Sequence, residues 1–257
     1  MTGKSTLKIG IAGCGALGSI AAKTLLAGEI PNMKLCGISE MRSIDFNVPR
    51  MSFAELGQTC DVIVEALPAT AVPELAAAIL PHGKTIIMVS ACALLIYPDI
   101  LDYKTGRIIL PSGALGGLDA VAALKNDGIS EAKIISTKPP KGFALTNMAE
   151  KTLIFEGNAL EAAQHYPANV NVAATLSFAG IGPDATKVEL WADPTKNTNS
   201  HEIEVVGRFS TIRAKIDNTP DPQNPKSSIL AGHSLVSCLQ KLAVTNPDTD
   251  FTAPTVL

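Results

Sequence analysis

The sequence predicts an α/β chain: a parallel sheet crossed by helices, then a smaller α+β region with a mostly antiparallel sheet, and a last helix that returns to the first part. Three observations predict it. A short apolar run, Ile9 to Ala12, stops at glycines spaced G-x-G-x-x-G (Gly13, Gly15 and Gly18), and an Ala-rich helical stretch, Ser19 to Ala27, follows. Apolar runs then alternate with helical stretches as far as Leu110, the pattern of right-handed βαβ units. From Glu131 onward the strand-like runs succeed one another without regular helices between them.

Strand, tight turn and helix in that order are the context in which a glycine fingerprint binds a dinucleotide. Gly13 allows the sharp turn, Gly15 lets the backbone approach a pyrophosphate, and Gly18 lets the helix pack on the strand. The helix N-terminus presents unpaired N–H groups to the phosphates, so Ala16 and Leu17 join the three glycines as cofactor-binding residues. Lys34 to Ser39 is the second strand, and its end lies beside the adenosine ribose. Glu40 there can accept the hydrogen bonds of a free ribose, as in NAD; Ser39 and Arg42 can equally hold the extra phosphate of NADP. A solvated Glu and Arg in a surface turn fit the same residues, so the preference stays open.

Asp61 to Ala66 is a third strand and Thr70 to Leu80 a helix. Lys84 to Val89 is a fourth strand, and a helix around Leu94 to Leu101 precedes a fifth, Arg107 to Leu110. Ligands of such sheets sit beyond the carboxyl ends of the strands, which places Glu65, Ala66, Ser90, Ala91, Ser112 and Gly113 near the cofactor. The glycine-rich stretch Pro111 to Asp119 leads into a helix, Leu118 to Leu124. Later strands are Glu131 to Lys138, Lys187 to Ala192, His201 to Arg208 and Thr211 to Asp217. The last of these alternates cleanly, and the break at Phe209-Ser210 predicts an antiparallel hairpin. Helical segments fall near Ala159 to His165 and Val170 to Phe178. Asp217 to Pro225, with three prolines, reads as a loop. Ser227 to Ala243 carries an apolar stripe at helical spacing. The expected division is residues 1–112 with 226–257 as the dinucleotide-binding domain, and 113–225 as a substrate, catalytic and dimerisation domain.

At 257 residues, 46% hydrophobic and 18% charged, the composition is globular. A net charge of −3 gives no reason to expect nucleic acid or an anionic membrane as partner. No secretory signal pattern opens the chain, and its most apolar stretch, Ala66 to Leu80, is broken by Pro68, Pro73 and Glu74. The five cysteines include no C-x-x-C pair; buried free thiols in a reducing cytoplasm are expected, with no metal site.

A nicotinamide enzyme takes its hydride acceptor from the cofactor and needs a protein acid/base near the reacting carbon. His82 sits in a turn, His165 closes a helix where a cation suits the dipole, and His233 lies within the last helix. His201 opens a strand after the polar loop Thr195 to Ser200, where it can face a cleft between domains or stay a hydrogen-bonded surface histidine. Carboxylate recognition calls for cations: Lys138 and Lys141 flank Pro139-Pro140, and either can point into the cleft or remain solvated. Ser112, at the end of the fifth strand, is placed with the substrate. Asn169 and Asn171 lie at a helix start, where one is a natural N-cap and the other can touch the nicotinamide or the substrate.

GCGALG, PSGALGGLDA, TKPP, PANVNVAATL, NSHEIEV and NPKSS occur in this order between Lys8 and about Leu242. In this set the chain resembles the L-aspartate dehydrogenase family. The resemblance implies a Rossmann domain joined to an α+β domain, binding NAD or NADP as a homodimer. It implies that His201 is the catalytic acid/base and that Ala114 and Asn171 contact cofactor, with Ala66 and Ser90 at the neighbouring strand ends. The implied reaction is reversible oxidation of L-aspartate to iminoaspartate, then oxaloacetate and ammonia, with the imine also available to NAD biosynthesis. A related Rossmann reductase of homoserine or dihydrodipicolinate type, or a non-catalytic NAD(P) sensor, is the rival reading.

Overall fold

The first turn of the chain is built by backbone. In the computed structural model, which describes residues 6–221, 224–244 and 255–256, strand β1 (Leu7–Ala12) ends at Gly13, whose φ of +86° is open to glycine. Helix α1 (Ala16–Leu26) starts at once, with Gly15 as N-cap and no side chain bonded to its first N–H groups. A Cβ on Gly18 would collide with the Gly13 carbonyl, so this glycine seats the helix on the strand.

The alternation then continues through β2 (Met33–Ser39), α2 (Phe53–Thr59), β3 (Val62–Glu65), α3 (Val72–Ile79), β4 (Thr85–Met88), α4 (Ala93–Ile96) and β5 (Arg107–Leu110). Helix α5 (Leu118–Leu124) leads to β6 (Ile129–Lys138), β7 (Thr152–Asn158), α6 (Ala159–His165), α7 (Asn171–Ala179), β8 (Thr186–Ala192), β9 (Asn199–Gly207) and β10 (Thr211–Asn218). The short strands β11 (Pro220–Asp221) and β12 (Asn224–Ser228) precede α8 (Ile229–Val244), and β13 (Thr255–Val256) is last.

The first sheet runs β13-β5-β4-β3-β1-β2, every pair parallel. Chain direction across the sheet reverses between β1 and β3, and a crevice opens at that switch point beyond the strand ends. The second sheet, β10-β9-β6-β8-β7, is antiparallel except for β6 with β8. Its covered face carries Ile134, Val188, Leu190, Ile203 and Val205, all buried among residues of α6 and α7. Helix α8 returns to the first sheet, where Leu235, Cys238, Leu239 and Leu242 pack with Ala21, Ala22 and Leu25 of α1. The α/β architecture with a mostly antiparallel second sheet and a returning helix is therefore present.

Several local expectations differ. The single helix expected at 94–101 is a four-residue α4 followed by a 3₁₀ turn, Pro98–Asp102. Pro98 lacks the N–H the helix needs, and its ring blocks continuation. The expected loop 217–225 contains the antiparallel pair β11 and β12; residues 222–223 lie outside the described residues, as do 245–254 and 257 of the last expected segment. Helix α2 was not anticipated, although Ser52 and Glu55 form a capping box in which the Glu55 Oε2 accepts from the Ser52 N–H at 2.7 Å. Strand β7 mixes apolar and charged residues without clean alternation and was also missed.

Candidate active site

Two connected hollows follow from this topology. The outer cleft, about 1380 Å³, lies at the switch point and is lined by Gly13, Gly15, Ala16, Leu17, Glu40 and Arg42, with Ala66 on the far side. A Cβ on Gly13 would collide with the Ala66 carbonyl, so the turn and the β3 end meet backbone to backbone. Gly15 faces the cleft, with the Arg42 guanidinium nearest to where a side chain would start. This is a cradle without side chains at its turn, and no side chain caps the N-terminus of α1 that opens onto it, an arrangement suited to an anion.

The Glu40 and Arg42 charges in the outer cleft are paired. Glu40 Oε2 accepts from the Cys14 N–H at 2.9 Å and from Arg42 Nη2 at 3.0 Å, while Oε1 accepts from the Arg42 N–H at 3.1 Å. The Arg42 guanidinium, with these backbone donors, holds the Glu40 carboxyl down to about 2. Glu40 is 9% exposed and Arg42 72%, so the acid is fixed and the base is free to turn. Arg50 donates to the Glu40 and Arg42 carbonyls.

The inner cavity, about 440 Å³, sits between the two sheets. Leu67, Val89, Ser90 and Asn171 line both hollows and so mark where they join. His201 projects into the inner cavity from β9. Strand register sets it opposite Ser136 of β6, and its Nδ1 shares a hydrogen bond with Ser136 Oγ at 2.9 Å. Nε2 makes no hydrogen bond to the described residues. Burial, aided by the charge of Lys138, drops the His201 pKa to about 3, so the imidazole is neutral in the free cavity.

Lys138 ends β6 on the same covered face, two residues beyond Ser136. It is 6% exposed and has no carboxylate partner among the described residues. Its Nζ donates to Asn169 Oδ1 at 2.9 Å and lies 5.8 Å from the Phe143 ring centre. Burial lowers its pKa to about 8. Among the described residues, it is the one cationic side chain lining this cavity. A buried, uncompensated ammonium attracts an anion strongly.

The comparisons agree with this geometry. The family model for the aspartate dehydrogenase C-terminal region matches residues 119–242. The chain is 36% identical to L-aspartate dehydrogenase 3 of Bordetella bronchiseptica, over 95% of this chain and 97% of that one. The chain belongs to the aspartate dehydrogenase family. It is also 36% identical to L-aspartate dehydrogenase of Methanocaldococcus jannaschii, over 92% of this chain and 97% of that one. The crystal structure of aspartate dehydrogenase from Thermotoga maritima superposes with a TM-score of 0.74 at 26% identity, covering 95% of this chain and 99% of that one.

Within this aspartate dehydrogenase fold, Ala114, Lys138, Asn171 and His201 come together in the inner cavity with Ser90. Gly18 is buried beneath the turn and does not line the cleft. Two residues expected to meet the substrate do not line the inner cavity. Lys141 is exposed, because the 3₁₀ turn Pro140–Phe143 carries it to the surface. Ser112 is half-buried beside the cavity while its neighbours Pro111, Gly113 and Ala114 form the wall. Neither asparagine caps α7, whose N-cap is Val170. Asn169 accepts from Lys138, and Asn171 Oδ1 accepts from the Cys92 N–H at 3.2 Å. Sequence reasoning missed Ser136 and Asn199. Both lie on the His201–Lys138 face, and the two-residue spacing from Lys138 was a usable signal for Ser136.

Proposed function

We propose that this chain oxidises L-aspartate with a nicotinamide cofactor, using His201 as acid/base and Lys138 as the anchor of a substrate carboxylate. The observation that carries the reading is the placement of a neutral imidazole and an unpaired buried ammonium in one cavity, joined to a dinucleotide cradle. The relatives' names supply the substrate, and the cavity's charge suits a dicarboxylate.

When bound, the nicotinamide accepts hydride from the substrate Cα. The chain's own residues do the rest. Lys138 holds one carboxylate by a charge-assisted bond, and Asn199, buried at the cavity wall, offers a neutral partner. With Nδ1–H donating to Ser136 Oγ, the His201 Nε2 lone pair faces the substrate nitrogen. It takes the ammonium proton before oxidation and releases it to solvent, then removes a proton from the water that adds to iminoaspartate and passes that proton to the departing nitrogen. The balance is aspartate, oxidised cofactor and water giving oxaloacetate, ammonium and reduced cofactor with one proton. An anion on Lys138 offsets the charge that depresses His201, so substrate binding raises its basicity.

Glu40, fixed by backbone donors, favours the free ribose of NAD; rotation of the exposed Arg42 toward solvent opens a place for the phosphate of NADP. Residues 1–112 with 226–257 are assigned to the cofactor and 113–225 to substrate and dimerisation. A homodimer would use the uncovered face of the second sheet, where Ile135, Trp191 and Val206 lie among the pairs Lys133–Glu189 and Arg213–Glu204. Five free thiols suit a reducing cytoplasm. No helix among the described residues is long and apolar enough to cross a membrane. Initial rates with L-aspartate and with homoserine, each against NAD and NADP, test the reading: reduced-cofactor absorbance should rise with aspartate, and turnover of homoserine alone would overturn it.

A further inference from the structure

Glu65 takes no part in the mechanism above, yet it is fully buried at the end of β3. Its two carboxyl oxygens accept from different loops. Oε1 accepts the Leu67 N–H at 2.6 Å, in the loop after β3, and Oε2 accepts the Ser90 N–H at 2.9 Å, in the loop after β4. Ser90 Oγ closes the arrangement by donating to the Leu67 carbonyl at 2.6 Å. Leu67 and Ser90 line both the outer cleft and the inner cavity. The carboxyl therefore stitches together the two loops at the junction, which is where a dinucleotide lying along the cleft must place its nicotinamide.

No salt bridge reaches Glu65 among the described residues. The strands on either side oppose it with Ala12 and Met88, and the loop after β3 with Leu67 and Pro68. The titratable neighbour is the Cys92 thiol at the start of α4, itself pushed up to about 12 by burial and by Glu65. Burial raises Glu65 to about 7, against the hydrogen bonds that favour the ion. A carboxyl in such surroundings responds strongly to any cation placed beside it.

We propose that Glu65 is a positioning residue for the cofactor: its carboxylate clasps the two loops that frame the nicotinamide and, as a buried anion behind that site, favours the oxidised, cationic ring over the reduced, neutral one. This rests on the nicotinamide reading given above. Glu65→Gln tests it, because a carboxamide keeps the size, loses the charge and turns an N–H donor toward one of the two backbone N–H groups.

The readout is the ratio of dissociation constants for reduced and oxidised cofactor at pH 8, measured by nicotinamide fluorescence for the reduced form and by competition for the oxidised form. The ratio should move roughly tenfold toward the reduced form in Glu65→Gln, the scale of one charge acting across several ångströms of protein. A purely structural role weakens both forms in parallel and leaves the ratio unchanged, which overturns the proposal. The wild-type chain gives a second measurement that does not depend on the variant folding. In carbon-13 titrations of glutamate carboxyls, the Glu65 midpoint should fall when the oxidised cofactor binds and fall less with the reduced one, by linkage. Equal midpoints with both forms contradict the proposal. Failure of the wild-type chain to bind either cofactor removes the nicotinamide reading and this inference together, whereas normal binding with an unchanged ratio removes this inference alone.

Discussion

The outer cleft and the inner cavity solve opposite problems. In the cleft, Glu40 is matched by Arg42 and by the Cys14 N–H, and the cradle is made of backbone around Gly13. In the cavity, among the described residues, Lys138 meets the neutral Asn169 and the Phe143 ring, and the His201 ring shares its hydrogen bond with Ser136. A region complete in itself is ready to receive a ligand without supplying or demanding a charge. A region left one negative charge short selects the ligand that supplies the charge. On the proposed reading the cofactor site is preformed, and substrate recognition is a charge deficit that the substrate fills.

The largest break in this contrast should come at His201. Replacing it by Ala removes the acid/base and should cut kcat by ~10²-fold or more, while the cofactor dissociation constant, set in the outer cleft, stays within about twofold of wild type. Equal losses in kcat and cofactor affinity would merge the two regions into one. Lys138→Met should come next. Losing a charge-assisted anchor should raise KM for aspartate by roughly 10- to 100-fold, about 1.5–3 kcal/mol, with cofactor affinity again preserved. Steady-state kinetics beside a binding titration separates these outcomes.

The pH profile sharpens the same point. Lys138 is cationic below its pKa of about 8 and neutral above it. In the free enzyme kcat/KM for aspartate should therefore fall as pH rises through that value, tenfold for each further unit. The fall at this position should vanish in Lys138→Met. The smallest effect belongs to the cleft: Arg42→Ala should weaken NADP by a few-fold to tenfold and leave NAD nearly unchanged, since Arg42 is exposed and screened.

Much of the fold was legible because periodicity and punctuation are local. The Gly13–Gly18 turn, the apolar strands through β5 and the alternation of β10 are each written within a dozen residues. Elements without such a signal were lost. Strand β7 has no clean alternation, and β13 is a two-residue strand whose place beside β5 depends on the rest of the sheet. In the site, His201 was readable from its strand-end position and family motif, but its partner Ser136 is 65 residues away and is brought to it by register. The choice between Lys138 and Lys141 was open because both flank the same two prolines; only the turn at Pro140–Phe143 decides which is buried. Asn169 and Asn171 offered a cap and a ligand contact between them, and the Asn171 partner within the fold, the Cys92 N–H, lies 79 residues earlier. Glu65 was placed near the cofactor by topology, whereas its two-loop clasp depends on tertiary contacts that no spacing reports.

On the proposed reading, the inner cavity selects a substrate by its second negative charge. The direct measurement is kcat/KM for L-aspartate against L-asparagine, which matches it closely in size and lacks that charge. A preference for aspartate of ~10²-fold or more is expected in the wild-type chain, most of it lost in Lys138→Met. Equal kcat/KM for the two amino acids in the wild-type chain would contradict it.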